Sequence, residues 1–173
     1  MPLSNPINLV EWTKTNAHLL RPPVNNHCIY DGDVTVMILG GPNDRTDYHV
    51  NETPEWFYQY RGSMNLNVID PSDDNKFKTI EIRQGEMFLL PGGTPHNPVR
   101  FADTAGVVIE QKRPEGSVDR LRWYCQDCRH LVREVSFHLR DLGTEIKNAV
   151  LEFKNSGEGR RCKECGTLCA VSH

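Results

Sequence analysis

Residues 85–100 read GEMFLLPGGTPHNPVR. The first half of this segment is apolar and runs into the turn-forming letters PGG, so it predicts a strand over 86–90 that closes in a tight turn. His96 follows that turn at once. Glycine lets backbone approach a crowded position, and proline fixes the direction of the chain. The pattern therefore predicts an imidazole held in one orientation at the end of a β-hairpin.

A second segment has the same kind of chemistry. Residues 45–55 read RTDYHVNETPE, with His49 and Glu55 six positions apart. A strand, a turn at 53–54 and a second strand would bring both side chains to one point. With His96 they would make two imidazoles and one carboxylate, which leaves three octahedral positions open and suits Fe(II) in oxygen chemistry.

Each of these residues has a simpler interpretation when it is taken alone. A single histidine near a strand end is more often hydrogen-bonded or on the surface, and Glu55 alone would usually be a solvated charge. The metal interpretation is favoured because His49, Glu55 and His96 occur in two segments with matching turn residues.

Short apolar runs separated by turn residues fill the rest of 1–120, which predicts a mainly β fold, a sandwich or barrel. Within 64–68, Met, Leu and Val alternate with Asn, as in a half-buried strand. Few helices are expected: one opened by Asn8, and one whose apolar face includes Ile146 and Phe153. The predicted strands are 34–39, 55–60, 64–69, 78–82, 86–90, 106–111 and 134–139.

Four cysteines near the end of the chain form two CxxC pairs. CxxC turns present two thiolates to one metal, and two such turns complete a tetrahedral site for zinc or iron, closed and therefore structural. We predict a small rubredoxin-like metal-binding module over 121–173, after a catalytic barrel with an N-terminal helix over 1–120. Cys28 and Cys169 are expected to be buried apolar thiols. The proposed ligands are Cys125, Cys128, Cys162 and Cys165.

The composition excludes several classes of protein. With 38% hydrophobic and 25% charged residues, the 173-residue chain is expected to fold. A net charge of −3 gives no basis for binding nucleic acid through phosphates. We find no apolar run of the ~20 residues that a bilayer span needs, and no signal-peptide pattern. These features predict a cytoplasmic protein with no membrane or nucleic-acid partner, in agreement with metal-binding cysteines.

The two histidine segments resemble the two signature motifs of the cupin superfamily. The first motif matches over 49–62, with Asn51 in place of its second histidine, and the second over 85–100, with Arg100 in place of its final asparagine. The resemblance implies a cupin barrel, that is, a double-stranded β-helix or jelly roll. Because Asn51 removes one expected ligand, two histidines and one glutamate remain, which favours a three-residue site.

A narrower resemblance covers most of the chain. RTDYH at 45–49, EWFYQYRG at 55–62, FLLPGGTPH at 88–96 and WYCQDCRHLV at 123–132 together resemble the 3-hydroxyanthranilate 3,4-dioxygenase family. The resemblance includes the cysteine tail of bacterial and fungal members. It implies Fe(II)-dependent, extradiol-type ring opening of 3-hydroxyanthranilate by O2 to 2-amino-3-carboxymuconate semialdehyde. That product leads to quinolinate and to NAD made from tryptophan in the kynurenine pathway.

The family resemblance also assigns roles to individual residues. It implies that His49, Glu55 and His96 hold the iron, and that Arg45, Arg100 and Glu110 face substrate and dioxygen. Arginine forms two parallel hydrogen bonds to a carboxylate, so Arg100 is expected at the substrate carboxylate.

One further arginine and two glutamates complete the expected site. Arg45 would stabilise negative charge on dioxygen or assist at the substrate carboxylate, and Glu110 would accept a substrate hydrogen bond or act in proton transfer. Glu55 would border the substrate as well as the metal. A surface charge is the simpler interpretation of Arg45, Arg100 or Glu110 taken alone.

Members of the family tend to be homodimers, and a homodimer is expected here. The alternatives are a different cupin enzyme, such as a zinc-dependent one, a non-catalytic cupin that binds a small carboxylic acid, and a rubredoxin-like electron-transfer protein.

Overall fold

The computed structural model describes residues 5–20, 25–43, 45–138 and 142–172. These residues form eleven strands and two α-helices, which confirms a mainly β fold with few helices. The helices are α1 (Leu9–Thr15) and α2 (Leu142–Asn155), with 3₁₀ turns at Ala17–Leu19 and Gly157–Arg160. The strands are β1 (Asn26–Tyr30), β2 (Val34–Gly40), β3 (Tyr48–Val50), β4 (Glu55–Arg61), β5 (Met64–Asp70), β6 (Lys76–Ile82), β7 (Met87–Leu90), β8 (His96–Arg100), β9 (Ala105–Gln111), β10 (Asp119–Tyr124) and β11 (Leu131–Phe137).

The strands form two antiparallel sheets. One sheet has the order β1-β2-β9-β4-β7, and the other has the order β11-β10-β3-β8-β5-β6. From β2 to β10 the chain crosses repeatedly from one sheet to the other, which is the connectivity of a jelly roll. The predicted cupin barrel is therefore confirmed.

The barrel core lies between the inner faces of the two sheets. The alternation predicted for 64–68 is confirmed, since Met64, Leu66 and Val68 are buried while the two intervening asparagines are half-buried. Side chains at every second position of the opposite sheet meet them, because successive residues of a strand point to opposite faces. That opposite set includes Met37, Phe57, Leu90 and Val108.

A second apolar core joins the barrel to the cysteine segment. Trp123 of β10 stacks on Phe153 of α2, with ring centroids 4.6 Å apart. The predicted apolar face of α2 is buried there, together with the side chains of Cys125, Cys162 and Cys169. Strand β10 pairs with β3 of the barrel on one side and with β11 on the other. The division into units at residue 120 stays a prediction, and strand β10 spans that position.

Six of the seven predicted strands match observed strands within a few residues. The seventh, predicted over 134–139, corresponds to β11, and residue 139 lies outside the described residues. Asn8 caps α1 as expected, because its side chain accepts a hydrogen bond from the Glu11 amide. Strand β3 lies where a strand was expected before the turn at 53–54, whereas β1, β8 and β10 were not predicted.

Candidate metal centre and adjoining pocket

His49, Glu55 and His96 converge at one point between the two sheets. His49 lies on β3 and His96 on β8, where the two residues pair directly across the strands. Glu55 begins β4 in the opposite sheet. One ligand atom from each of the three buried residues lies within 4.8 Å of the others, a spacing that could hold a metal ion. Glu55 Oε1 is 3.4 Å from His96 Nε2 and 3.9 Å from His49 Nδ1.

Hydrogen bonds fix which ring nitrogen of each histidine faces this point. His96 Nδ1 donates to the Thr94 carbonyl at 3.0 Å, so the Nε2 lone pair is left for a metal. His49 Nε2 lies 2.6 Å from Asp119 Oδ2. Asp119 has a lowered pKa and is a carboxylate, because the hydrogen bonds from His49 and Arg113 outweigh its burial. His49 therefore donates through Nε2 and turns Nδ1 toward Glu55.

Asn51, at the position of the second histidine in the cupin motif, orients the glutamate. Its amide nitrogen donates to Glu55 Oε1 at 3.2 Å, and its oxygen accepts from the backbone and hydroxyl of Thr53. Burial would raise the pKa of Glu55, but His96, His49 and Asn51 outweigh burial and lower it to about 2. The carboxylate is thus ionised, the form that binds a metal.

Arg100, at the end of β8, is buried without a counter-ion among the described residues. Its Nη1 contacts the Met64 sulfur at 3.2 Å, and its Nη2 makes no hydrogen bond with any of the described residues. Burial lowers the pKa of the guanidinium to about 10, which still leaves it charged at neutral pH. Arg100 borders the same pocket as the three candidate ligands. A buried, unpaired cation is costly unless an anion joins it, so the pocket is suited to an acid.

Arg45 borders this pocket from the segment before β3. Unlike Arg100, it has a partner, because its Nε donates to Asp47 Oδ1 at 2.9 Å and its Nη2 donates to Oδ2. Asp47 is fully buried. Arg45 is therefore held in place by a buried carboxylate.

Glu110 approaches the pocket from β9, where it pairs with Glu55 of β4 across the strands. Burial and the nearby Glu55 raise its pKa to about 7. Its Oε2 accepts a hydrogen bond from Arg113 Nη1 at 2.9 Å. A carboxyl group with a pKa near neutrality can accept or release a proton in this pocket.

The structure brings together all the barrel residues singled out from the sequence and adds three that were missed. Asp47, Arg113 and Asp119 each form an ion pair with a residue of the site. For Arg113 and Asp119 the available signal was the charged stretch of 110–119, which begins at the end of a predicted strand and surrounds a Pro/Gly turn. Asp47 lies within RTDYH, between Arg45 and His49.

The four candidate cysteine ligands also converge, with their sulfur atoms within 4.8 Å of one another. Cys125 Sγ is 3.5 Å from Cys165 Sγ, and Cys128 Sγ is 3.5 Å from Cys162 Sγ. Each CxxC forms a turn in which the amide of the residue after the second cysteine donates to the carbonyl of the first cysteine. That residue has a positive φ, at Arg129 (63°) and Gly166 (78°).

Two cysteines lie outside this set. Cys169 is buried as expected, but the expectation of a buried Cys28 is wrong, because this side chain is exposed on β1. Strand β1 forms the edge of its sheet and leaves the thiol open to solvent. Among the described residues, no helix combines the length and the apolar character needed to cross a membrane.

The fold and the donor set define the class of protein: a cupin barrel with a His–Glu–His set that could hold one metal ion. The comparison with a solved cupin-2 domain protein from Shewanella frigidimarina gives a TM-score of 0.47 at 19% sequence identity. The alignment covers 61% of this chain and 94% of that protein's chain.

The sequence comparisons identify the family. The family described as 3-hydroxyanthranilic acid dioxygenase matches residues 1–154, and the chain belongs to it. The 3-hydroxyanthranilate 3,4-dioxygenase of Podospora anserina is 64% identical, over 97% of this chain and 91% of its own. The enzyme of Neurospora crassa is 63% identical, over 96% of this chain and 91% of that enzyme. That of Candida albicans is 52% identical, over 97% and 96%.

Proposed function

We propose that this chain is a non-haem Fe(II) dioxygenase that opens the ring of 3-hydroxyanthranilate with O2, giving 2-amino-3-carboxymuconate semialdehyde. Its near full-length similarity to enzymes of that name supports the assignment. The observation on which we rest it is the buried Arg100, which has no counter-ion among the described residues and lies beside a His–Glu–His set. This arrangement fits a substrate that combines a carboxylate with metal-chelating groups.

The chemistry of the donor set fits iron. Two imidazole nitrogens and one carboxylate oxygen are the ligands of non-haem Fe(II) oxygenases, and they leave positions for both substrates. Bound Fe(II) would supply the redox-active centre through which dioxygen, which reacts slowly with a closed-shell ring, can be used. His49 Nδ1, His96 Nε2 and Glu55 would hold the ion.

The remaining side chains bind and orient the substrate. Arg100 would form two parallel hydrogen bonds to the substrate carboxylate, and this would satisfy its free Nη2. The hydroxyl and amino groups would then be directed at the metal, next to Glu55. Glu110 would accept a proton from one of these groups, as its pKa of about 7 permits. Arg45, fixed by Asp47, would place positive charge beside dioxygen.

We propose a structural role for the four-cysteine site. With four sulfur ligands a tetrahedral zinc or iron would be saturated, leaving no position for a substrate. The buried sulfurs of Cys125 and Cys162 belong to the second core, so a metal there would fasten the 121–173 unit to the barrel. Metal-binding thiols also support a cytoplasmic, reducing location.

We further propose that the protein is a homodimer formed through the outer face of the β1-β2-β9-β4-β7 sheet. On its edge strand, Met87 and Leu89 are 65% and 62% exposed. They pair with Tyr58 and Trp56, whose rings are stacked at 6.0 Å. An apolar patch of this kind is typical of a protein–protein interface.

The test is anaerobic reconstitution with Fe(II), followed by 3-hydroxyanthranilate and then O2. We expect loss of the substrate absorbance, appearance of the ring-opened chromophore and uptake of one O2 for each substrate molecule. Zinc-loaded protein is the matched control and should bind the substrate without turning it over. Turnover with zinc, or binding without turnover under Fe(II), would instead support a different cupin enzyme or a non-catalytic binding protein.

A further inference from the structure

Arg113 connects two carboxylates that would otherwise be buried side by side. Its Nε donates to Asp119 Oδ1 at 2.8 Å and its Nη2 to Asp119 Oδ2 at 2.9 Å. Its Nη1 donates to Glu110 Oε2 at 2.9 Å. One guanidinium thus makes three charge-assisted hydrogen bonds, with every nitrogen used.

The connection between β9 and β10 is built to hold this arrangement. Glu110 is near the end of β9, and Asp119 is the first residue of β10. Between them the chain reverses in a turn, where the Ser117 amide donates to the Pro114 carbonyl at 3.1 Å and Gly116 has a φ of 83°. A positive φ at this position favours glycine, so the turn is encoded locally.

Each carboxylate held by Arg113 leads to a different part of the site. Asp119 accepts the hydrogen bond from His49 Nε2, which turns Nδ1 toward Glu55. Glu110 borders the pocket that Arg100 and the candidate ligands share. A continuous series of polar contacts therefore runs from His49 through Asp119 and Arg113 to Glu110.

We propose that Arg113 is a positioning residue that fixes the metal-binding orientation of His49 and the pocket orientation of Glu110 at the same time. For Glu110, this inference rests on the proposed function. For His49 it does not, because the effect of Arg113 on metal affinity can be measured without turnover. The planar fork is essential, because a guanidinium can donate in parallel to one carboxylate and still reach another. A lysine ammonium in the same place is a point charge that cannot keep all three bonds.

The test compares Arg113→Lys with Arg122→Lys under anaerobic conditions. Arg122 is the matched control, because it lies on β10 and pairs with Glu134 away from the pocket. We expect Arg113→Lys to weaken binding of Co(II) or Fe(II) at the barrel site by about 10- to 100-fold, the usual effect of disturbing a hydrogen bond behind a ligand. The visible Co(II) spectrum should also change. Arg122→Lys should match the wild type in both.

A second measurement, steady-state kinetics, separates the effect of Arg113 on Glu110 from its effect on His49. At saturating Fe(II), Arg113→Lys should lower kcat more than it raises KM, because Glu110 is displaced while Arg100 still binds the substrate carboxylate. If wild-type protein binds metal but shows no turnover, the proposed function fails, and the metal affinity of Arg113→Lys still decides its effect on His49.

The proposal is overturned if Arg113→Lys has wild-type metal affinity, Co(II) spectrum and kcat. It is also overturned if the variant only loses thermal stability, since a merely structural residue would act in that way. Should Arg113→Lys fail to fold, Arg113→Gln provides the same test, with Arg122→Gln as its control. A glutamine amide carries no charge and lacks the three-nitrogen fork that holds both carboxylates, so metal affinity should fall here too.

Discussion

Three arginines border or adjoin the pocket, and their partners distinguish their roles. Arg45 is paired with Asp47, and Arg113 with Glu110 and Asp119. Arg100 has no ion pair among the described residues, although it is only 4% exposed. A buried cation without an anion is unfavourable, so Arg100 is the arginine to which a substrate carboxylate would supply the missing negative partner.

At the residue scale we therefore predict the effect of replacing Arg100. Arg100→Ala should weaken anaerobic binding of 3-hydroxyanthranilate to the metal-loaded protein by about 100-fold, because charge-assisted hydrogen bonds are worth about 2–3 kcal/mol. Metal affinity should be almost unchanged. Titration calorimetry measures both quantities. Unchanged substrate affinity would show that another residue binds the carboxylate.

Arg100→Lys is the matched comparison for that prediction. It keeps the positive charge but removes the fork that allows two parallel hydrogen bonds. Substrate affinity should lie between those of the wild type and Arg100→Ala. An affinity equal to that of Arg100→Ala would mean that geometry, and not charge, dominates.

The sequence alone predicted the convergence of His49, Glu55 and His96, because each stands beside turn residues that determine its position. The hydrogen bonds behind these ligands were not predictable. Asp119 is 70 positions from His49, and nothing in the local pattern of either residue signals their contact. The roles of Arg45, Arg100 and Glu110 in catalysis stay predictions.

At the scale of elements, the bounds of strands with a regular apolar period were predictable, and the bounds of the two strands that carry the histidines were not. β5 alternates in the way a half-buried strand must. β3 has three residues, and β8 reads HNPVR, with buried polar side chains and a proline. A strand that places polar ligands in the core lacks the apolar signal by which strands are recognised.

The cysteine unit gives a prediction at this scale. Cys125→Ser should remove the metal from the four-cysteine site and lower the free energy of unfolding by about 4 kcal/mol, the stabilisation expected from a ligand far above its Kd. Fe(II) binding at the barrel site should persist. Metal analysis and thermal unfolding measure these effects.

Cys28→Ser is the control for that substitution. Cys28 is exposed and lies outside the four-cysteine cluster, so its replacement should change neither metal content nor stability. Equal unfolding temperatures for Cys125→Ser and wild type would contradict a structural role for the site.

At the scale of the whole molecule, the candidate metal centre depends on both sheets. One sheet provides His49 and His96, and the other provides Glu55 and Glu110. The site can therefore form only when the two sheets are packed, which couples metal binding to folding. Topology of this kind follows from long-range pairing, which the sequence pattern does not reveal without the family resemblance.

The proposed dimer is also a prediction for the whole molecule. The wild type should sediment as a dimer at micromolar concentration, and Leu89→Lys should sediment as a monomer because it places a charge in the apolar patch. Leu151→Lys, at an exposed position on α2, is the control and should remain dimeric. A monomeric wild type would contradict the proposed interface.

The most direct test of the central claim is a count of bound metal in His96→Ala. If His49, Glu55 and His96 hold one ion, the reconstituted wild type should contain two metal ions per chain and His96→Ala one, retained by the four cysteines. Turnover should be lost with the missing ion. Two ions in His96→Ala, together with full turnover, would contradict a catalytic centre built on these three residues.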